Sequence, residues 1–168
     1  DSVAPDARLR PHFPQHLELL PRSVRTRWSF SDQPLEALSG ENARPSRYRW
    51  IHIDPNVVGS RDADRLAIQI GRASELLRPD GLLVIDDFFQ TSSPEVTTAV
   101  YRLLLGGAPW RVLMIGFNKV YLVRAEHFAA YSDALGGGAR TCLDVVGAFS
   151  LERVSVLDHP ALSVKGAI

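Results

Sequence analysis

Acidic side chains follow two short apolar runs in the first half of the chain. Asp54 comes directly after the run WIHI at 50–53, and Asp86 and Asp87 come directly after the run LLVI at 82–85. Carboxylates held close together raise one another's pKa unless a cation neutralises them. Carboxylate oxygens are also the ligands that a hard divalent cation such as Mg²⁺ prefers. Asp54, Asp86 and Asp87 are therefore candidate metal ligands, and the alternative is a proton retained by one of them.

The elements that must position these residues are two strands and a helix. A continuous apolar run bounded by turn residues is typical of a strand buried on both faces, as in a parallel sheet. The segment between the two runs has the length of one helix and ends in the turn sequence RPDG at 78–81. Ligands of open α/β sheets bind beyond the carboxyl ends of the strands. The pattern therefore predicts that all three carboxylates lie at the sheet edge where sites form.

Alternation along each strand decides which side chains share a side. His52 precedes Asp54 by two residues, so a regular strand places both on one side of the sheet. We take these two as the candidate catalytic residues, and the alternative for His52 is a packed structural side chain. Asp86 and Asp87 are consecutive, so they face one pocket only if the chain turns locally. The alternative is that one of them caps the following loop.

Length and composition exclude several classes of protein. The 168 residues predict a single domain, and 19 basic residues balance 19 acidic ones. A net charge of zero provides no global attraction to nucleic acid or to an anionic membrane. Cys142 is the single cysteine, which excludes an intramolecular disulfide and a multi-cysteine zinc site and favours a reducing compartment. No apolar run approaches the roughly 18 residues that span a bilayer. We therefore expect a cytoplasmic domain that binds neither nucleic acid nor membrane.

Hydrophobic spacing and turn residues predict the remaining elements. In chain order these are a strand at 24–30, a helix at 33–38, a strand at 48–53, a helix at 61–77 capped by Ser60, a strand at 81–86, a helix from 93 to the glycines at 106–107, strands at 110–115 and 120–123, a helix at 126–135, and a strand at 153–157 followed by a frayed end. Residues 116–119 are too few for a parallel crossover, so the strands that they join must form a hairpin. The predicted fold class is α/β, with a mostly parallel sheet and an antiparallel hairpin.

Taken in order, several segments resemble the C-terminal part of a class I S-adenosylmethionine-dependent methyltransferase. They are IHIDP at 51–55, LLRPDGLLVIDDFF at 76–89, PEVTTAVYRLL at 94–104 and FNKVYLVR at 117–124. The nearest subgroup is that of the catechol O-methyltransferase-like and small bacterial methyltransferases. The resemblance covers residues 24–135 and implies a Rossmann-like, three-layer α/β/α fold whose last strand is antiparallel.

The resemblance also implies a reaction and a set of site residues. The reaction is methyl transfer from S-adenosylmethionine to a small-molecule acceptor. The expected acceptor atom is oxygen, and the transfer proceeds either with the assistance of Mg²⁺ or without it. In the subgroup an Asp and an Asp-Asn pair at successive strand ends hold a divalent metal, and Asp54, Asp86 and Asp87 stand at these places. Ser31 and Asp32 are the implied adenine contacts, and Asp54 is the implied contact beside the methyl-transfer site. For Ser31 and Asp32 the alternative is a helix cap.

Departures from the family motivate a second hypothesis, a non-catalytic methyltransferase-like domain used for binding or oligomerisation. No segment matches the family's Gly-rich cofactor loop, and Pro55 and Val57 stand where the subgroup has Gly and His. Because that loop is missing and the chain starts at Asp1 rather than Met, we expect an N-terminally incomplete domain. A sheet without its first strands exposes an edge that needs a cover, which predicts a homodimer.

Two other folds place acidic residues at strand ends. In a phosphoacceptor receiver domain the acidic pair precedes the single Asp, whereas here Asp54 precedes Asp86 and Asp87. The order of elements also fits a carboxylate-based glycosyltransferase less well than a methyltransferase. Both alternatives are therefore disfavoured.

Overall fold

The computed structural model describes residues 34–56, 62–136 and 149–166. Within them the strands are β1 (Tyr48–Ile53), β2 (Leu77–Ile85), β3 (Trp110–Gly116), β4 (Lys119–Arg124), β5 (Phe149–Val156) and β6 (His159–Gly166), and the α-helices are α1 (Ala63–Leu76), α2 (Pro94–Leu105) and α3 (Phe128–Ala134). Short 3-10 turns occur at Leu35–Ala37, Gly40–Ala43 and Ala125–His127. The predicted strand at 24–30, the cap Ser60, and Ser31, Asp32 and Cys142 lie outside the described residues.

The described strands form one mixed sheet, which confirms the predicted α/β class. Their order is β1-β2-β4-β3-β6-β5. The pairs β1–β2 and β3–β6 are parallel, and the pairs β2–β4, β3–β4 and β5–β6 are antiparallel. The predicted hairpin across residues 116–119 is therefore present as β3–β4. In the described part of the chain no helix is both long enough and apolar enough to cross a membrane.

Helix α1 packs on the sheet through an apolar stripe. Leu66, Ile70 and Ala73 recur at helical spacing and are fully buried in the main core cluster. The helix starts at Ala63 because the Asp62 carboxylate accepts a hydrogen bond of 2.8 Å from the backbone N–H of Asp64, as an N-cap does. This packing holds β1 and β2 side by side, which places their carboxyl ends at one edge.

Strand β2 begins at Leu77, earlier than the predicted start at residue 81. Tyr48 of β1 pairs with Leu77, and Trp50 pairs with Leu82, so the register shifts between them. The RPDG sequence is thus accommodated as an irregularity within the strand pairing rather than as a connection before it. The prediction was wrong at this boundary because a turn sequence can be carried by a bulge when the flanking residues are paired.

The C-terminal region forms a complete second hairpin, whereas the sequence predicted one strand followed by a frayed end. Strands β5 and β6 pair along their full lengths, from Val156–His159 at the turn to Phe149–Gly166 at the open end. The turn residues Leu157 and Asp158 have φ angles of 49° and 61°. Positive φ at both central positions is typical of a type I′ hairpin turn. Leu is not typical of this conformation. The sequence therefore did not predict the turn, and it did not predict that the C-terminal residues form a second strand.

Gly116 permits the close approach of β3 and β6. A Cβ atom at this position would lie 2.7 Å from the Cβ of Val164, and β6 joins β3 through a short parallel pairing at Met114–Leu162 and Ile115–Ser163. We expect Gly116→Ala to lower the free energy of unfolding, measured by urea denaturation, by about 1–3 kcal/mol because of this overpacking.

The matched control is Gly71→Ala in α1, where nothing outside the helix's own backbone lies within 4 Å of the added methyl group. That substitution should raise the free energy of unfolding by about 0.5–1 kcal/mol, since Ala is the better helix former. Losses of equal size in both variants would contradict the assigned contact.

Candidate functional site

The candidate site is built at the carboxyl ends of β1 and β2. The two strands pair in parallel up to Ile53–Ile85, and the backbone N–H of Asp86 continues the pairing by donating to the carbonyl oxygen of Ile53 at 2.9 Å. Asp54 and Asp86 are therefore the first residues beyond the two strands and leave the sheet side by side. The structure brings these two residues together at one edge, along with His52 and Asp87.

One face of the sheet collects the polar side chains. His52 pairs with Val84, and Val84 pairs with Tyr121 on β4, so these three positions share a face. Asp86 and Lys119 are the next positions on that same face, beyond the pair Ile85–Val120. The edge therefore presents a cation as well as carboxylates.

Lys119 falls in the connection at 116–119 that the sequence predicts, and the structure places it at the start of β4 and in the site. Its Nζ donates to Oδ2 of Asp86, and the two side chains form an ion pair. The signal for this role lies in the sheet order. Because β4 runs antiparallel beside β2, the first residue of β4 meets the first residue after β2.

Asp86 is held in its charged form. Its partial burial is the largest single influence and opposes ionisation, but the nearby His52 and Lys119 side chains and the backbone N–H of Asp87 outweigh burial and lower the pKa of Asp86 to about 2. The Nε2 of His52 lies 3.4 Å from Oδ2 of Asp86. That Nε2 is buried and makes no hydrogen bond with good geometry among the described residues.

Asp54 has the opposite electrostatic character. It is one of the few buried polar residues, with 7% of its surface exposed. Burial raises the pKa of its carboxyl group, and the charges of Asp86 and Asp87 raise it further, against a hydrogen bond from the Asn56 backbone N–H. That bond is 2.9 Å long. A carboxylate with a raised pKa is a stronger base than an ordinary aspartate, so Asp54 is suited to accept a proton at the edge of the sheet.

Asp87 points toward the loops rather than into the cluster with Lys119. Its φ of 59° is left-handed, and this is the local turn that separates it from Asp86. Its carboxylate accepts from Nδ2 of Asn118 at 3.0 Å and from Nδ2 of Asn56. Asp87 thus joins the loop after β1 to the turn between β3 and β4. This arrangement agrees with the loop-stabilising alternative more closely than with a ligand role.

Asn118 connects the turn between β3 and β4 to the loop after β2. Besides binding Asp87, its Oδ1 accepts the backbone N–H of Phe89 at 3.1 Å, and its carbonyl oxygen accepts the backbone N–H of Phe88 at 2.9 Å. Its own φ is 61° and that of Phe117 is 53°, as in a type I′ turn. Sequence reasoning assigned Asn118 to the turn, which is correct, but did not foresee these bonds to the loop after β2.

Two substitutions of Asn118 separate its backbone role from its side-chain role. Asn118→Gly keeps the left-handed conformation accessible but removes the bonds to Asp87 and Phe89, and we expect a loss of about 1–2 kcal/mol in the free energy of unfolding. Asn118→Ala removes the same bonds and adds strain at positive φ, so its loss should exceed that of Gly by about 1 kcal/mol. Urea denaturation measures both. Equal, negligible losses would show that the side chain does not hold the loop.

The predicted metal set of Asp54, Asp86 and Asp87 does not fit these contacts. Among residues 34–56, 62–136 and 149–166, no group of three or more His, Cys, Asp or Glu side chains is arranged to hold a metal ion. The physical reason is that Lys119 already neutralises Asp86 and that two amides occupy the oxygens of Asp87. Mg²⁺ needs free oxygen ligands in octahedral array, and these three side chains do not present such an array.

Two further features border the site. Tyr121 has its pKa raised, first by burial and then by the negative charge of Asp86, so it is a neutral phenol at neutral pH.

A cavity of about 480 Å³ lies between the loop after β2 and helix α2, and its lining includes Phe88, Phe89, Thr97 and Tyr101. Phe89 is 54% exposed. The cavity has the size and the aromatic lining of a small-molecule pocket.

Comparisons with known proteins yield a structural neighbour and no family. No protein-family model matches the chain, and no curated protein matches it. A crystal structure of a protein from Corynebacterium glutamicum, described without an activity, is similar with a TM-score of 0.47 and 14% identity. The similarity covers 73% of this chain and 59% of that one, so this chain matches less than two thirds of the neighbour's length.

Proposed function

We propose that this chain carries a methyltransferase site, in which the methyl group of S-adenosylmethionine is transferred to an oxygen of a small-molecule acceptor. The observation that carries the proposal is the buried Asp54 at the carboxyl end of β1, with a raised pKa, beside the ion pair of Asp86 and Lys119. A buried base next to a fixed charge pair is typical of a site that moves a proton. The sequence resemblance assigns the same residue to the methyl-transfer site.

The arrangement of the elements supports the three-layer fold that the family implies. Helices α1 and α2 contact each other, and their buried residues share one core cluster with Ile51 and Leu83 of the sheet. Helix α3 packs elsewhere: the Arg111 guanidinium lies 4.9 Å from the Phe128 ring centroid, and the Tyr131 hydroxyl donates to the Asp80 carbonyl oxygen at 2.6 Å. Arg111 pairs with Val123, on the face that carries Tyr121. We infer that α3 covers the face opposite α1 and α2.

Asp54 is the general base of the proposed reaction. When bound, S-adenosylmethionine supplies a methyl group on a positively charged sulfur, and Asp54 is the described residue that would face this charge. Asp54 would take the proton from the acceptor hydroxyl as the acceptor oxygen is methylated. The products would then be the methylated acceptor, S-adenosylhomocysteine and a protonated Asp54.

The surrounding residues keep Asp54 in this role. Lys119 neutralises Asp86, so the edge does not accumulate three uncompensated negative charges. The sequence assigns a catalytic role to His52 as well, and its buried Nε2 lies 3.4 Å from Oδ2 of Asp86. Positioning of the acceptor against the base supplies the main part of the rate enhancement in such a displacement. Ser31 and Asp32, outside the described residues, are the adenine contacts that the resemblance assigns.

Calorimetric titration of S-adenosylhomocysteine into the chain, with and without Mg²⁺, tests the proposal. We expect binding with a dissociation constant on the order of micromolar, unchanged by Mg²⁺ because Lys119 already supplies the positive charge. Asp54→Asn should weaken binding or abolish turnover, and Asp133→Asn, at an exposed position of α3, is the matched control. Absence of binding to the wild-type chain would refute the proposal.

The second candidate is a non-catalytic domain of the same fold. It is favoured by one observation, namely that every oxygen of Asp87 and the Oδ2 of Asp86 is occupied by a group of the same chain. The described sheet ends at β1 on one side, and this candidate predicts that a second copy covers that edge. Light scattering decides: a dimer without S-adenosylhomocysteine binding supports the binding domain, and a monomer contradicts it.

A further inference from the structure

A second cavity lies at the opposite edge of the sheet. Trp110 pairs with Arg124 at the far end of the β3–β4 hairpin from Lys119. Here a groove of about 400 Å³ opens between the α2–β3 connection and the β5–β6 turn. Its lining is mostly apolar and includes Leu104, Leu105, Trp110, Val112, Val156 and Leu157. Leu105 is 72% exposed and Leu157 is 36% exposed, so apolar side chains form the mouth of the groove.

Arg111 is the charged residue of this groove. Its guanidinium lies against the face of Phe128, at 4.9 Å from the ring centroid, and its Nη2 lies 2.9 Å from Nδ1 of His159. Its Nε is buried and has no hydrogen-bond partner. Among the described residues no carboxylate forms an ion pair with Arg111. Within the part of the chain that the structure describes, this guanidinium, which is always charged, therefore has no carboxylate partner.

The contact with His159 adds a second donor. A guanidinium has no acceptor, so Nδ1 of His159 must accept from Arg111. In this tautomer the neutral imidazole carries its proton on Nε2, so that nitrogen is a donor. Arg111 and His159 together thus present donors to an anion at the border of an apolar groove. Guanidinium groups match carboxylates in a bidentate geometry.

We propose that this groove binds a small amphipathic carboxylate, whose alkyl chain packs on Leu105 and Leu157 and whose carboxylate binds Arg111. The groove combines apolar walls with one convergent charged group, as small-molecule sites do. The aliphatic lining favours a flexible alkyl chain over a sugar or a nucleotide. The Arg111 guanidinium, whose Nε has no hydrogen-bond partner among the described residues, selects an anionic head group. The site is separate from the edge that carries Asp54, so it does not depend on the proposed methyl transfer.

The test is calorimetric titration of decanoate, below its micelle concentration, into the full chain, with decanol and inorganic phosphate as comparison probes. We expect decanoate to bind, and decanol and phosphate to bind at least about tenfold more weakly, since each lacks one of the two recognised features. Arg111→Met should weaken decanoate binding about tenfold or more. Arg153→Met, at an exposed position on β5, is the matched control and should leave binding unchanged.

A second variant keeps the test decisive if Arg111→Met does not fold. Leu105→Glu changes an exposed side chain at the mouth of the groove and places a negative charge on the apolar surface that holds the alkyl chain, so it should also weaken decanoate binding. Circular dichroism checks that each variant is folded. No decanoate binding to the wild-type chain, equal binding of decanol, or unchanged binding in Leu105→Glu would each overturn the proposal.

Discussion

Replacing Asp54 by Asn is expected to stabilise the protein and to inactivate it. The free energy of unfolding at pH 7 should rise by about 1–2 kcal/mol, and the proposed methyl transfer should slow by about 100-fold or more. The Asn side chain keeps an oxygen that can accept from the Asn56 backbone N–H. It removes a charge that is buried and lies close to the carboxylates of Asp86 and Asp87. A residue that weakens the fold but is required for turnover is typical of a functional site.

The stabilisation by Asp54→Asn should depend on pH with a definite sign. The pKa of Asp54 in the folded state is raised above 3.8, so the folded state holds its proton more tightly than the unfolded chain does. The wild-type protein therefore loses stability from this group as the pH rises above about 4. The difference between variant and wild type should be small below that pH and grow above it. Urea denaturation across pH 3 to 8 measures this difference, and Asp133→Asn should show no such trend.

A destabilised Asp54→Asn variant that retains full activity would contradict both parts of the prediction. That outcome would mean that the carboxylate is needed for the turn formed with Asn56 and not for proton transfer. A stabilised variant that still binds S-adenosylhomocysteine but does not turn over would place Asp54 in the chemical step. The two readouts, stability and turnover, are thus separable in one substitution.

Replacing Lys119 by Met is expected to lower the free energy of unfolding at pH 7 by about 1–3 kcal/mol, because it leaves the partly buried Asp86 without its counter-charge. The side chains of Asp86 and Lys119 are 17% and 25% exposed. The matched control is Lys165→Met, which breaks a pair with Glu152 whose side chains are 58% and 47% exposed. The control should change stability by less than about 0.5 kcal/mol.

The free energy of unfolding at acid pH also tests the ion pair of Asp86 and Lys119. The pKa of Asp86 is lowered from 3.8 to about 2, so its contribution is fully present above about pH 4 and is lost as the pH falls toward 2. Lys119→Met should reduce this loss, since the folded-state pKa of Asp86 rises when the ammonium is removed. The double variant Lys119→Met with Asp86→Asn should recover part of the stability, because neither charge then remains buried. If the double variant does not recover stability, the packing of the aliphatic part of Lys119, and not its charge, is what stabilises the fold.

Lys119→Met also tests whether the ammonium group of Lys119 takes the place of the metal ion that the sequence predicts. With the ammonium gone, Asp54 and Asp86 retain their carboxylates without a cation, and we expect the variant to gain affinity for Mn²⁺, measured by calorimetry. The wild-type chain should show none. Tight Mn²⁺ binding to the wild-type chain would restore the predicted metal set of Asp54, Asp86 and Asp87 and displace Lys119 from the role assigned to it.

Much of the fold was predictable because its signals are local. The apolar run of β1 and the short connection between β3 and β4 each specify their own structure within a few residues, and both predictions were correct. The stripe of Leu66, Ile70 and Ala73 likewise specified α1 through its period. The carboxyl-end positions of Asp54 and Asp86 followed from the strand boundaries alone. The sequence by itself therefore determined which residues reach the edge of the sheet.

Only the tertiary structure decided what those residues meet. Lys119 reaches Asp86 across 33 positions of chain, because β4 inserts antiparallel beside β2, and the order of strands depends on long-range packing that no local pattern encodes. The left-handed backbone at Asp87 and Leu157 similarly depends on neighbouring loops and strands, since neither residue demands it. The acidic edge that the sequence predicts as a metal site is, in the folded protein, the ion pair of Asp86 and Lys119 beside the buried carboxyl group of Asp54.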